Sequence, residues 1–206
     1  MNTRGNIILD LDQTLISSES LKSLDWEKYK DKEKNFTVPT IMEDYYKIFE
    51  RPYLQEFLNF LFANFNVCIW TAGTQSYFSF IVDNIIIGKH TDRHFKTVLF
   101  SCHCDDSNAK KDGTKDLRML WDIYKLEGFS KENTVIIDDY KDDVYFIQKE
   151  NCILAPEFHF TKKGSEKDDF LKRLIPKLNE LKTQIEKGLP ISDMVININR
   201  DMKKRV

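Results

Sequence analysis

The chain has 206 residues, 41% hydrophobic and 13% aromatic, which suits one domain with a sizeable core and excludes a disordered chain. Its 31 basic and 33 acidic side chains nearly cancel to a net charge of −2, so it lacks the basic excess that nonspecific nucleic-acid binding needs. No apolar run approaches the length of a membrane span, and nothing at the N-terminus reads as a secretory leader. Cys68 and Cys152 sit in apolar strand-like runs and do not look like a disulfide framework. The expectation is a soluble, intracellular protein of the cytoplasm or nucleus, with no membrane and no direct nucleic-acid partner.

The first element is Ile7-Ile8-Leu9, an apolar run that reads as a strand buried on both faces. Asp10, Asp12 and Thr14 follow where that strand should end. Side chains two apart on an extended chain point the same way, so the carboxylates can converge, with Thr14 a third candidate. Two carboxylates held that close repel, and a divalent cation is the usual remedy. An Asp-rich turn closing a strand explains the same residues more simply.

Residues 17–35 are polar without a clear period and read as a loop or short helix, with Trp26 and Tyr29 as anchors. Phe36-Thr37-Val38 and Tyr45 to Phe49 read as two short strands of a hairpin. Arg51-Pro52 opens a helix whose face carries Leu54, Phe57, Leu58, Leu61, Phe62 and Phe65. Val67 to Trp70 is a second buried strand, ending in Thr71-Ala72-Gly73-Thr74, and a helix bearing Tyr77, Phe80, Ile81 and Ile85 follows. Lys96 to Phe100 reads as a third strand within Phe95 to Cys104, and Ser107 to Gly113 as a polar loop leading to Lys115.

Asp116 is a candidate N-cap for a helix carrying Leu117, Leu120, Trp121 and Tyr124. Thr134 to Ile137 is a fourth buried strand, ending in Asp138-Asp139. A short helix around Asp142 to Lys149 precedes a fifth strand, Cys152 to Leu154. Phe170 to Ile185 is amphipathic, with Pro176 expected to kink or split it, and residues 187–206 read as a tail ending in a frayed basic Lys203-Lys204-Arg205.

Strands alternating with helices predict an α/β fold, a mostly parallel sheet covered on both faces, with ligands beyond the carboxyl ends of the strands. Three strand ends, at Asp10/Asp12, Thr71 and Asp138/Asp139, carry polar groups that suit the same chemistry. Carboxylates, a hydroxyl and the ammonium of Lys115 around a cation make a phosphoryl-transfer site. Oxygen ligands without His or Cys point to Mg²⁺. Bacterial receiver domains use similar groups, but there the acidic pair comes first; here it comes last.

That order, with Leu9-Asp10-Leu11-Asp12-Gln13-Thr14-Leu15, resembles the haloacid dehalogenase superfamily. Arg51-Pro52-Tyr53-Leu54, Trp70-Thr71-Ala72-Gly73-Thr74, Lys115-Asp116-Leu117 and Val135-Ile136-Ile137-Asp138-Asp139 narrow the likeness. Together, over residues 7 to 180, they resemble the phosphatases acting on the C-terminal repeats of RNA polymerase II, the small-phosphatase and NLI-interacting-factor type. The resemblance implies a haloacid dehalogenase-like, Rossmann-like domain over residues 1–186, a hairpin insertion at about 17–50 and no large cap domain.

The resemblance also implies a Mg²⁺-dependent serine/threonine protein phosphatase, with the polymerase repeat as candidate substrate. Asp10 would be the nucleophile and Asp12 the proton donor and then base. Thr71 and Lys115 would hold phosphoryl oxygens. Thr14, grouped with them, would shape the turn and orient Asp12. Asp10, the Asp12 carbonyl and an acid from Asp138/Asp139 would hold the metal, with Asp139 ranked ahead because relatives commonly have Asp-Asn there.

Simpler readings compete at several positions. Thr71 could cap the following helix, and Lys115 could be a solvated surface lysine. Cys102-His103-Cys104, with His90 and His94 nearby, invites a zinc proposal but lacks a second cysteine pair. Tyr45, Tyr46 and Phe49 could line a hydrophobic pocket or simply pack. A noncatalytic phosphopeptide-binding scaffold and a phosphatase for another phosphomonoester are the alternative functions.

Overall fold

The computed structural model describes residues 4–88 and 90–203. Five parallel strands form the main sheet: β1 (Asn6–Leu9), β5 (Asn66–Trp70), β6 (Thr97–Leu99), β7 (Thr134–Asp138) and β8 (Cys152–Leu154), in the order β6-β5-β1-β7-β8. β1 sits at the centre, with Leu9 level with Ile69 of β5 on one side and Ile137 of β7 on the other. The chain leaves β1 toward β5 and leaves β7 toward β8, in opposite directions along the sheet, which opens a crevice between the carboxyl ends of β1 and β7.

Strand alternation sorts the core into two layers. Ile7, Leu9, Val67, Ile69, Val135 and Ile137 face one layer, packed on α2 (Leu54–Asn64), α3 (Gln75–Ile81) and α5 (Phe170–Glu186). Ile8, Cys68, Trp70 and Ile136 face the other, with Cys104, Leu117, Leu120 and Val144. Asp10 and Asp138 continue the parity of Ile8 and Ile136. That is the layer from which the segment around Lys115 approaches.

A second, antiparallel sheet follows the site loop: β2 (Ile16–Ser20), β3 (Thr40–Met42) and β4 (Tyr46–Glu50), in the order β2-β4-β3. The hairpin expectation holds in kind, but its first strand lies at Thr40–Met42, and Val38 is exposed. β2 replaces the start of the expected loop; its sequence is polar and only Ile16 and Ser17 are buried, so it carries no apolar alternation. Trp26, in a single helical turn (Trp26–Tyr29) before the short α1 (Lys30–Glu33), stacks near Phe49 and Phe160. Phe49 lies flat on Phe160 at 3.7 Å between ring centroids, so it is packing and not pocket wall.

Further expectations need correction. Helix α2 starts at Leu54, after Tyr53 in the left-handed region, and not at Pro52. The third strand stops at Leu99, and α4 (Ser101–Lys110) occupies most of the expected loop and the Cys102-His103-Cys104 segment. The expected helix over Asp142 to Lys149 is a single wide turn, Lys141–Tyr145.

Pro176 does not divide α5, which runs unbroken over 17 residues, its Phe170, Leu171, Leu174, Leu178, Leu181 and Ile185 forming one buried stripe. Within the expected tail, α6 (Ser192–Lys203) buries Val195, Ile198, Asn199 and Met202 against α5 and β8. Asn199 bonds the backbone of both Leu154 and Cys152. Lys204 and Arg205 of the basic end lie outside the described residues. Among the described residues no helix is long and apolar enough to cross a membrane.

Candidate active site

The carboxyl ends of β1, β5 and β7 bring together most of the residues singled out in the sequence. Asp10 follows β1 directly, and its N–H donates to Ile137 O, which fixes it beside β7. Asp138 ends β7 one step beyond the Leu9–Ile137 register, level with Asp10. Between them stands Lys115, its Nζ donating to Asp10 Oδ1 at 2.5 Å and Asp138 Oδ2 at 2.8 Å. All three side chains are buried. The reading of Lys115 as a solvated lysine is therefore wrong.

A buried loop latch delivers Lys115. Ser107 on α4 donates its hydroxyl to Gly113 O and accepts the N–H of Asp116, bracketing the lysine from both sides. Gly113 permits this close approach, because a Cβ there would lie 2.3 Å from Asp143 O. Gln148 adds a bond from its amide to Lys115 O. Asp116 accepts the Arg118 N–H, but the expected helix is a single wide turn, Met119–Ile123, with Arg118 and not Asp116 at its cap position.

Burial and charge oppose one another here. Burial pushes Asp10 up to about 8; Lys115 pulls it down, and the carboxylate of Asp138 pushes it up. Burial would lower Lys115, but Asp10 and Asp138 hold its ammonium above the ordinary lysine range. Asp12 and Asp139 are both raised, chiefly by burial. One ammonium thus serves a group of four acidic side chains that is short of positive charge.

The remaining residues divide between site and support. Thr71 N–H donates to Leu99 O, and its Oγ1 accepts the Gly73 N–H, which leaves its hydroxyl hydrogen to donate. Thr71 is not the helix cap; Thr74 is, through its bond from the Tyr77 N–H. Thr14 is buried, donates to Asp139 Oδ1 at 2.8 Å and accepts the Asp139 N–H, so it holds Asp139 where the sequence reading had it orienting Asp12. Arg51 locks the same loop, bonding Thr14 O and gripping Asp168 with two nitrogens.

Asp12 is oriented by a residue that the sequence reading placed only on a helix face. Tyr77, in the first turn of α3, donates its hydroxyl to Asp12 Oδ1 at 2.5 Å, and Ser18 Oγ lies 2.5 Å from the same phenol oxygen. The one signal in the sequence is that the first turn of a helix after a strand faces the ends of neighbouring strands.

The zinc alternative finds no support. On α4, Cys102 is exposed, while Cys104 is buried with its thiol on Thr71 O, and His103 Nδ1 accepts the Phe100 N–H. These groups do not converge on a zinc ion. Among the described residues no cluster of three His, Cys, Asp or Glu side chains stands arranged for a metal. The donor set nevertheless fits a hard cation, being all oxygen and negatively charged.

The chain matches the family model for NLI interacting factor-like phosphatases over residues 6–188. It is 46% identical over 178 residues to CTD phosphatase-like protein 355R of invertebrate iridescent virus 6, covering 84% of this chain and 97% of the relative. The corresponding protein of invertebrate iridescent virus 3 is 36% identical over 187 residues, covering 88% and 98%. Among solved structures, Fcp1, an RNA polymerase II CTD phosphatase, shares the fold, with a TM-score of 0.52 and 20% identity. That match covers 100% of this chain and 55% of the Fcp1 chain, so the chain spans little more than half of that protein.

Proposed function

The chain belongs to the NLI interacting factor-like phosphatases, and from that membership we propose that it removes phosphate from phosphoserine or phosphothreonine in proteins, with Mg²⁺ and through an aspartyl-phosphate on Asp10. The observation that carries the reading is the buried Lys115 bridge between Asp10 and Asp138, with Asp12 poised two residues on. A purely structural ion pair gains nothing from the additional Asp12 and Asp139, whereas a phosphoryl-transfer site uses every one of these groups.

In this reading Asp10 attacks phosphorus, breaking the bond to the seryl oxygen as Asp12 gives that oxygen its proton. Asp12 then takes a proton from the water that attacks the aspartyl-phosphate, releasing phosphate and restoring Asp10. The raised pKa of Asp12 suits a group that must start protonated. Lys115 and the Thr71 hydroxyl hold phosphoryl oxygens.

Asp10, the Asp12 carbonyl and Asp139 would hold Mg²⁺. Asp138 already has both oxygens engaged, by Lys115 and by the Tyr140 N–H, while Thr14 engages one oxygen of Asp139. Bound there, Mg²⁺ would neutralise charge on the transferring phosphoryl group.

The proposed substrate is a phosphorylated protein, with the RNA polymerase II C-terminal repeat first in line because the relatives are named for it. The antiparallel β2-β4-β3 sheet beside the site, with Tyr45 and Tyr46 exposed, is the surface offered to a peptide. The chain's four free cysteines suit the reducing cytoplasm or nucleus.

The test is phosphate release from a phosphoserine peptide of the polymerase repeat. It should require Mg²⁺ and vanish in Asp10→Asn. Tight binding by the wild-type protein with no turnover would instead establish the noncatalytic scaffold.

A further inference from the structure

Two hydroxyls that close over Asp12 take no part in the chemistry above. Tyr77 commits its phenol hydrogen to Asp12 Oδ1, and Ser18 stands 2.5 Å from the phenol oxygen. The three residues come from separate units. Asp12 follows the central strand, Tyr77 opens α3, and Ser18 lies in β2 of the antiparallel sheet, opposite Ile48.

We propose that Tyr77, backed by Ser18, is a positioning residue that fixes which oxygen of Asp12 exchanges the proton. The proposal rests on the acid–base assignment of Asp12. An aspartate turns broadly about its terminal torsion, and its two oxygens are otherwise equivalent. A donor on Oδ1 fixes the carboxyl plane and leaves Oδ2 as the oxygen that carries the proton. The proton passes from Oδ2 to the seryl oxygen, and in the second step returns from water to Oδ2. Tyr77 keeps its own hydrogen throughout.

The surroundings favour a fixed phenol. The Tyr77 N–H is held by Thr74 at the helix cap, and its ring meets Tyr46 edge-on at 6.1 Å. Gly73 makes room for it, since a Cβ there would stand 2.8 Å from Tyr77 Cδ1. Ser18 closes the other side of the phenol oxygen and also interacts with the Asp12 carboxyl itself, so a residue of the small sheet reaches the acid both directly and through Tyr77.

The test compares Tyr77→Phe, Ser18→Ala and Asp12→Asn on two substrates in Mg²⁺: a phosphoserine peptide and p-nitrophenyl phosphate. The seryl oxygen needs a proton to leave, whereas nitrophenolate does not. Because kcat/KM reports the first phosphoryl transfer, Tyr77→Phe should lower it about tenfold for the peptide, as expected for a lost bond to a charged group, and hardly at all for the aryl ester. The loss should appear in kcat and not in KM. Ser18→Ala should show the same selectivity to a smaller degree, and it carries the comparison alone if Tyr77→Phe does not fold.

Asp12→Asn separates the two ideas. If it loses the peptide selectively and Tyr77→Phe loses both substrates equally or neither, the positioning role is wrong while the acid–base assignment stands. If Asp12→Asn is itself unselective, the assignment fails and the positioning role falls with it.

Discussion

Lys115 Nζ lies 2.5 Å from Asp10 Oδ1, a bond between residues 105 positions apart that the sheet topology closes beneath the site. The lysine has 5% of its side chain exposed, so it cannot exchange this partner for water. Lys115→Met should lower kcat/KM by about 10²-fold or more, the usual cost of removing a donor to a developing negative charge. The same change leaves Asp10 and Asp138 facing each other without a cation, and should destabilise the metal-free protein by about 3–5 kcal/mol. Kinetics and denaturant unfolding check the two effects separately. A fully active, equally stable variant would remove Lys115 from the site.

The pH dependence of stability follows from Asp10. Burial raises it from 3.8 to about 8, so between those values the folded protein binds a proton that the unfolded chain has released. Stability in chelator should therefore fall as pH rises from about 4 to about 8 and level off above. The raised Asp12 and Asp139 act with the same sign. Lys115 is raised above 10.5, so its contribution is lost only above that value, outside the window. Asp10→Asn should show a shallower fall in melting temperature across this range; an unchanged slope would refute the link.

Arg51 couples the site loop to the chain beyond β8. Its buried guanidinium bonds Thr14 O, grips Asp168 through two nitrogens, and lies 4.7 Å from the centre of the Phe170 ring. Arg51→Ala should cost about 3–5 kcal/mol in urea unfolding, because the buried Thr14 carbonyl and the half-buried Asp168 carboxylate lose their cationic partner. Arg51→Lys should recover little, since an ammonium cannot match the forked geometry. Near-wild-type stability in either variant would contradict this role.

The legibility of the chain follows the physics of each element. β1, β5 and β7 are readable because strands buried on both faces are continuous apolar runs, and the polar residues at their ends stand out against them. α4 is hidden because it buries only Cys104 and Ser107, which leaves no helical stripe. β2 is hidden because Ile-Ser-Ser-Glu-Ser pairs through its backbone while offering little apolar surface.

Asp10 and Asp12 are visible from local spacing. Lys115 has no local signal of its own, and its place in the site comes from the family resemblance. Tyr77 and Asp12 are 65 residues apart, and nothing near Tyr77 advertises a polar role, so its helix-face position hides the hydroxyl. Thr14 is legible as a residue of the turn, but its partner Asp139 follows the neighbouring strand β7, 125 positions along the chain, and emerges only in three dimensions.

The proposed chemistry stands or falls on phosphorylation of Asp10 during turnover. Enzyme quenched in acid while turning over a phosphoserine peptide in Mg²⁺, then reduced with borohydride, should carry homoserine at position 10, because an acyl phosphate is reduced where a free carboxylate is not. The product should be absent without peptide or without Mg²⁺. Full turnover with Asp10 unmodified, or with homoserine at another aspartate, would contradict the mechanism.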